Sequence, residues 1–288
     1  MAVILITGAN GQLGNELKVA SKNFYGYDFI FTDIDTLDIT SPLQVEDLII
    51  KSRPDWIINC AAYNLVDKAE SEPDRAMSIN ALAVKNIAEA IHGTECRFIH
   101  VSSDYVYDGK SCVPYNEASL PDPVSAYGRS KLAGEKYALT HPSTMVIRTS
   151  WLYSSFGQNF VKTMLKHGAE KPSLRVVFDQ TGTPTYAADL AGAIMFIVSG
   201  VIRNHFAMNA GIYNYSNEGV CSWFDFATEI IGEAGLGCVV NPVLTRDYRQ
   251  EAVRPSYSVM DKTKIKENYG LSIPHWRSSL LKCLKLLT

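Results

Sequence analysis

The chain has 288 residues, 47% of them hydrophobic and 20% charged, which suits a globular protein of one large domain or a large domain with a small companion. Its net charge of −3 gives no electrostatic case for a nucleic-acid or anionic-membrane partner, and no apolar run nears the ~18 residues that span a bilayer. No basic segment leads an apolar one at the start, and the six cysteines form no C-x-x-C pair and no zinc-like spacing to histidine, so reduced thiols in the cytoplasm are expected.

Residues 3–6 (Val-Ile-Leu-Ile) read as a strand buried on both faces of a parallel sheet. The run ends in Thr7-Gly-Ala-Asn-Gly-Gln-Leu-Gly14, and a helical pattern begins near Glu16-Leu17-Lys18. Strand, glycine turn and helix in this order suit a dinucleotide. Gly8, Gly11 and Gly14 let the backbone approach a pyrophosphate, whose charge then lies at the helix N-terminus. A plain glycine turn is the competing reading. A second strand, 27–32, leads to Asp33, about 20 residues past Gly14, where a carboxylate binds adenosine ribose hydroxyls and favours NAD over a 2′-phosphate. Asp35 and Asp38 share that loop and compete for the role.

Ser41-Pro42-Leu43-Gln44 reads as a helix start, with serine at N-cap, proline at N1 and glutamine at N3. The third strand, 56–60, is followed by Ala61-Ala62-Tyr63, small enough at first to admit a flat ligand such as adenine, or simply to pack a helix tightly. A helix is expected over 74–92, with Asn80 bonding a loop backbone or a cofactor. The fourth strand, 97–101, delivers Ser103 to the carboxyl edge of the sheet, where such folds bind ligands. A loop with Pro114, Pro121 and Pro123 leads to Ser125-Ala-Tyr-Gly-Arg-Ser-Lys131, and a fifth strand, 145–148, leads to Thr149-Ser-Trp151. Helices are expected over 159–167, 187–198 and 223–234, with an amphipathic tail over 276–287.

The repeated β–α order predicts the α/β class: a Rossmann-type doubly wound parallel sheet with a smaller C-terminal substrate-binding cap. Residues 1–155 are expected to be mainly the dinucleotide-binding core. Residues 156–288 are expected to mix late core elements with a small substrate-binding subdomain, the boundary being interleaved.

Tyr127 and Lys131 are four residues apart, which places both on one helical face. A phenol titrates near 10, and a fixed ammonium favours its ionised form. Bringing it to neutrality takes roughly 4 kcal/mol, much of which one close cation in a desolvated site supplies. The pair is therefore a candidate acid/base device, or else an aromatic packed on a lysine stem along a solvated face.

The glycine motif, the serine after the fourth strand and Tyr127-x-x-x-Lys131 together resemble the extended short-chain dehydrogenase/reductases. Asp67-Lys-Ala-Glu-Ser-Glu72, Ser102-Ser-Asp-Tyr-Val-Tyr-Asp-Gly109, Tyr127-Gly-x-x-Lys-x-x-Gly-Glu135, Arg148-Thr-Ser-Trp151, Asn159-Phe-Val-Lys-Thr-Met164 and Asp179-Gln-x-Gly-x-Pro-Thr185 narrow the resemblance to the dTDP-4-dehydrorhamnose reductases, with a weaker echo at Arg254-Pro255. The resemblance implies reduction of the C4 ketone of dTDP-4-dehydro-L-rhamnose to dTDP-L-rhamnose, with NADPH or NADH as donor, for a surface polysaccharide. It casts Tyr127 as general acid, Lys131 as the residue that lowers the phenol pKa and bonds the nicotinamide ribose, and Ser103 as a donor to the substrate oxygen. It places Ser103, Asp104, Trp151 and Arg254 at the substrate. It places Gly11, Gln12, Leu13, Asp38, Ile39, Ala61, Ala62, Tyr63, Asn64 and Val101 at the cofactor, together with Tyr127 and Lys131.

Some family members bind Mg²⁺ through glutamates at a dimer contact. Glu16 matches one ligand, but Ala188 stands where a second is expected. No metal is therefore expected, and Glu16 reads as a solvated first-turn carboxylate favoured by the helix dipole. A homodimer stays open. The alternatives are a 4-epimerase, a 4,6-dehydratase or a non-catalytic regulatory subunit. A dehydratase would carry an acidic pair after the serine, where this chain has only Asp104 before Tyr105. An intact Ser103, Tyr127 and Lys131 set argues against a dead subunit.

Overall fold

The computed structural model describes residues 1–287. The first half alternates strands and helices: β1 (Ala2–Thr7), α1 (Gln12–Ser21), β2 (Tyr27–Thr32), α2 (Pro42–Ser52), β3 (Trp56–Asn59), α3 (Val66–Ser71), α4 (Pro73–Met77), α5 (Ala83–Ala90), β4 (Arg97–Ser103), α6 (Ala126–Ala138) and β5 (Thr144–Thr149). The second half is more broken: β6 (Leu152–Tyr153), α7 (Phe160–Glu170), β7 (Ser173–Val177), β8 (Thr181–Gly182), β9 (Thr185–Tyr186), α8 (Ala187–Ile202), β10 (Gly211–Asn214), β11 (Cys221–Ser222), α9 (Trp223–Glu233), β12 (Val239–Val243), α10 (Thr263–Tyr269) and α11 (Trp276–Leu284).

Six strands form one parallel sheet in the order β10-β5-β4-β3-β1-β2. The apolar runs of the sequence explain how it is buried. Ile4, Ile6, Ile58, Ile99 and Ile147 point to one face, against Leu13 and Leu17 of α1 and the apolar length of α8. Their neighbours Leu5, Ile57, Phe98 and Val146 point to the other, against α2 and α5. Successive side chains of a strand alternate faces, so a continuous apolar run is what a two-sided core requires. The late strand β10 completes this sheet, and α8 covers one of its faces. A third core joins Tyr153, Val161, Phe226, Ile230, Trp276 and Leu280 around α7, α9 and α11, beside the carboxyl edge.

Several boundaries differ from expectation. Helix α1 begins at Gln12, so Gly14 lies inside it. Ser41 is the N-cap of α2 with no side-chain cap bond; Gln44 Oε1 accepts the Asp38 N–H at 3.0 Å, and the Ser41 N–H goes to Asp38 O. The expected helix over 74–92 is α4 and α5 joined by a single π turn, Ser78–Leu82. Strand β4 runs on to Ser103, which is its last residue.

Candidate active site

A cleft follows the carboxyl ends of β1, β3, β4 and β5. One lobe, of about 610 Å³, is lined by the glycine turn, Asp33, Asp38, Ile39, Ala61, Ala62, Asn64 and Arg75. The other, of about 520 Å³, is lined by Gln12, Leu13, Val101, Ser103, Asp104, Tyr127, Lys131, Trp151, Phe160 and Trp223. Gly8, Gly11, Cys60, Ala62 and Asn64 line both, so the lobes form one continuous trough.

The glycines build the turn in different ways. Gly8 has φ +65°, and a Cβ there would lie 2.5 Å from the Ala61 backbone nitrogen. A Cβ on Gly14 would lie 2.4 Å from the Gly8 carbonyl oxygen. Gly14 therefore packs α1 onto the turn and lines neither lobe, so its part in the motif here is close packing. Gly11 alone stands at the helix N-terminus facing both lobes. A bare backbone at a helix start, with a long trough beyond it, fits a dinucleotide.

In the first lobe both Asp33 oxygens accept backbone N–H groups, from Asn10 at 2.7 Å and Ile34 at 2.8 Å. The Asp38 carboxylate accepts from Thr40 N at 2.9 Å and Thr40 Oγ1 at 2.7 Å. Asp35 does not line the lobe. Arg75, which no motif of the sequence singles out, supplies a cation to its rim while paired to Glu72 at 3.2 Å. Tyr63 departs from expectation. Its ring lines neither lobe, its hydroxyl donates to Glu72 at 2.9 Å, and Arg75 lies over its face. Its backbone is clamped from both sides by Asn80, whose Oδ1 accepts from Tyr63 N at 2.8 Å and whose Nδ2 donates to Tyr63 O at 3.0 Å. Of the two roles read for Asn80, the structure takes the loop backbone, plus a bond to Ser130 Oγ of α6 at 2.9 Å.

At the inner lobe, Ser125 Oγ caps α6 by accepting the Gly128 N–H at 3.1 Å. A Cβ on Gly128 would lie 2.2 Å from Tyr105 O, so α6 approaches the end of β4 closely only because that residue is glycine. This seats Tyr127 edge-on against Tyr105, with its hydroxyl 3.5 Å from Asn64 Oδ1. Burial pushes the Tyr127 phenol up to about 12; the Ser103 hydroxyl draws it down and Asp104 raises it. The Lys131 ammonium instead donates to the Val101 carbonyl at 2.7 Å. Burial lowers Lys131 to about 8, against the opposing pull of Glu135 and Cys60. The pair does share one helical face, but burial dominates the phenol, and the group that draws it down is Ser103 rather than Lys131.

Ser103 Oγ donates to Asp104 Oδ1 at 3.0 Å, and burial raises that carboxyl to about 7. Trp151 has φ +47°, in the left-handed region that costs a bulky residue about 1–3 kcal/mol. Its indole stacks on Trp223, centroids 3.6 Å apart at 7°, and lies so near Gly182 that a Cβ there would be 2.7 Å from the ring. Trp223 and Phe160 complete an aromatic wall. Trp223 lies in no motif of the sequence, whereas Phe160 stands in a block that carries the resemblance. Arg254 lines neither lobe. Its guanidinium grips both Asp67 oxygens, at 2.9 and 2.6 Å, beside Tyr105 of the inner lobe.

Glu16 is the clearest departure. It is buried, and Ser154 Oγ donates to it at 2.6 Å. Burial raises its pKa, partly offset by that bond and reinforced by Asp189. It is not a solvated first-turn carboxylate. Among the described residues no group of three or more His, Cys, Asp or Glu is placed to hold a metal ion, and no helix is long and apolar enough to cross a membrane.

The family model described as RmlD substrate binding domain matches residues 1–288. A dTDP-4-dehydrorhamnose reductase of Aggregatibacter actinomycetemcomitans is 39% identical, covering 97% of each chain. The spore coat polysaccharide biosynthesis protein SpsK of Bacillus subtilis is 40% identical, covering 99% of this chain and 98% of that one. A crystal structure of dTDP-4-dehydrorhamnose reductase from Bacillus anthracis in complex with NADP is 39% identical, with a TM-score of 0.93 over 99% of both chains. With a trough built for a dinucleotide and a tyrosine, lysine and serine at its inner end, the chain belongs to the RmlD substrate binding domain family, that of the dTDP-4-dehydrorhamnose reductases.

Proposed function

We propose that the chain reduces the C4 ketone of dTDP-4-dehydro-L-rhamnose to dTDP-L-rhamnose, using NADPH or NADH. The observation that carries this reading is the convergence of Ser103, Tyr127 and Lys131 on the inner lobe, at the end of a trough that begins at a glycine turn. A bound reduced nicotinamide supplies the hydride. The chain's own residues manage the charge that then appears on O4. Tyr127 gives its hydroxyl proton to that oxygen, and Ser103 turns its hydroxyl from Asp104 to the same atom. Donors aimed at developing charge stabilise the transition state more than the neutral ketone. Lys131, cationic at neutral pH with a value of about 8, binds the nicotinamide ribose and fixes the Val101 carbonyl beside it. The Trp151–Trp223 wall holds the sugar and keeps water from its face. Arg254, expected at the substrate, is held by Asp67 at 2.6 Å.

Asp33 disfavours a 2′-phosphate by charge, but both its oxygens are already engaged by backbone N–H groups and Arg75 stands at the rim, which supports use of both cofactors. Six free cysteines accord with a cytoplasmic enzyme acting on a small nucleotide sugar, with a homodimer as the assembly to test by sedimentation. The deciding assay follows absorbance loss of NADPH and of NADH with dTDP-4-dehydrorhamnose, with UDP- and GDP-4-keto sugars as controls. Oxidation with the dTDP sugar and little with the others is expected. Equal turnover of all three would defeat the substrate assignment.

A further inference from the structure

Gln12 and Glu16 lie one turn apart on α1 and face the same stretch of chain, Ser154 to Asn159. Ser154 Oγ donates to Glu16 Oε1 at 2.6 Å, and Asn159 Nδ2 donates to Gln12 Oε1 at 3.0 Å. Between them Gly157, at φ +63°, passes so close that a Cβ would lie 3.1 Å from Gln12 Cγ. Asn159 does more than bridge. Its Nδ2 also donates to Ser154 O at 2.7 Å, and its Oδ1 caps α7 by accepting the Lys162 N–H at 3.1 Å. The next residue, Phe160, packs on Trp223 with ring centroids 4.6 Å apart, and Trp223 stacks on Trp151. An unbroken run of contacts thus leads from the first turn of α1 to the aromatic wall.

The two ends of that run belong to different cores. Helix α1 packs in the sheet core, whereas Phe160, Trp151 and Trp223 pack on the core of α7, α9 and α11. A hydride donor held by one and a ketone held by the other react well only when their atoms meet at about 3–3.5 Å, and a misplacement of about 1 Å costs roughly a hundredfold. Something must set the distance between the two bodies at the site itself.

We infer that Asn159 is a positioning residue that sets the aromatic wall against the cofactor turn through its amide bond to Gln12. This rests on the proposed reading of the trough. Asn159 touches both halves with one side chain, and its cap fixes the start of α7 so that Phe160 cannot drift independently. The cap uses only the oxygen; the amide nitrogen is shared between Gln12 Oε1, Ser154 O and, at 3.4 Å, Phe156 O, so the donor that reaches α1 also ties the 154–159 loop to it.

The separation of cap and bridge supplies the test. Asn159→Asp and Asn159→Ser each keep an oxygen for the Lys162 N–H but lose the amide donor. NADPH affinity is read by nicotinamide fluorescence without sugar, KM and kcat by steady-state oxidation with dTDP-4-dehydrorhamnose, and folding by thermal melting. Both variants should lower kcat with dTDP-4-dehydrorhamnose about tenfold at saturating NADPH, while NADPH binding stays within about twofold and melting within a few degrees. Gln12→Ala, which cuts the bridge but leaves the Ser154 bond, should lower kcat alike, and the double variant Gln12→Ala, Asn159→Ser should fall no further than the worse single, since both changes cut the same bond. An unchanged kcat in both Asn159 variants, an equal loss of NADPH affinity in them, or fully additive effects in the double variant would overturn the inference. Wild-type turnover of the keto sugar, measured alongside, tests the proposed function separately.

Discussion

Helix α6 carries Tyr127, Lys131 and Glu135 at four-residue steps down one face, and its two charges are equally buried but very unequally compensated. Glu135 is fully satisfied. Arg148 Nε and Nη2 donate to its two oxygens at 2.9 and 2.6 Å, and Ser102 Oγ donates to Oε1 at 2.6 Å. Burial opposes the Arg148 charge, yet the Glu135 bonds more than reverse it and hold the guanidinium above its ordinary range. Arg148 Nη1 passes the network on to the Tyr107 hydroxyl at 2.9 Å. One turn away, the Lys131 ammonium has a single carbonyl bond, and its pKa falls to about 8. The lower turn is a locked structural joint between α6, β4 and β5. The upper turn keeps a charge that the fold itself leaves short of partners, facing the trough where an anionic or hydroxyl-bearing ligand would supply them.

The largest expected effect lies on the reactive side of that contrast. Tyr127→Phe removes the proton donor and little else, so turnover should fall by about 10²–10⁴-fold. NADPH affinity, read by fluorescence, should barely move; unchanged turnover would remove Tyr127 from the chemistry. On the structural side, Glu135→Gln leaves Arg148 buried without its counter-charge. A loss of about 3–5 kcal/mol in urea denaturation is expected. Replacing both partners, Glu135→Gln with Arg148→Met, should cost clearly less than the single change. If the double variant were the less stable, the pair would not be the joint described.

Asp104 gives a third, pH-dependent effect. Its carboxyl titrates near 7 in the folded chain, chiefly through burial, against an ordinary 3.8. Between those values the unfolded chain has lost a proton that the folded chain keeps, so stability falls as pH rises, by about 1.4 kcal/mol per unit. Asp104→Asn still accepts from Ser103 but does not ionise. Its stability relative to the wild type should therefore grow from pH 4 to pH 7 and level off above, as urea midpoints across that range would read. A difference that stays constant with pH would place the carboxyl in its normal range.

What the sequence displays well is what depends on near neighbours. The two-sided burial of Ile4, Leu5 and Ile6, the β–α order, the glycine turn and the shared face of Tyr127 and Lys131 all follow from local spacing. What it hides depends on partners far along the chain. Glu16 looks like any solvated first-turn acid until Ser154 closes over it. Tyr63 sits among small cleft residues, but its ring is drawn away by Glu72 and its backbone clamped by Asn80 from a π turn that no periodicity announces. Arg254 and Asp67 stand in separate motifs, and only the fold shows that they satisfy each other. Helical spacing places Lys131 beside Tyr127 but does not say that its ammonium reaches the Val101 carbonyl.

That last point makes Lys131→Met the finest test of the contrast along α6. An uncompensated buried ammonium should cost stability wherever it is charged. Its folded value of about 8 lies below the unfolded 10.5, so between those pH values the unfolded chain binds the extra proton. Stability therefore rises with pH across that window, and below pH 8 the whole cost stands, on the order of 3 kcal/mol. Methionine fills similar space without the charge, but leaves the Val101 carbonyl without its donor, a loss of about 1–2 kcal/mol. At pH 7 the variant should be more stable by about 1–2 kcal/mol, with the gain shrinking as pH approaches 9.5. Turnover and NADPH affinity should both fall. Calorimetry at the two pH values, paired with the cofactor titration, reads all of this. A variant less stable at pH 7 would mean that the fold already compensates the ammonium, and the two turns of α6 would then differ only in chemistry, not in stored electrostatic cost.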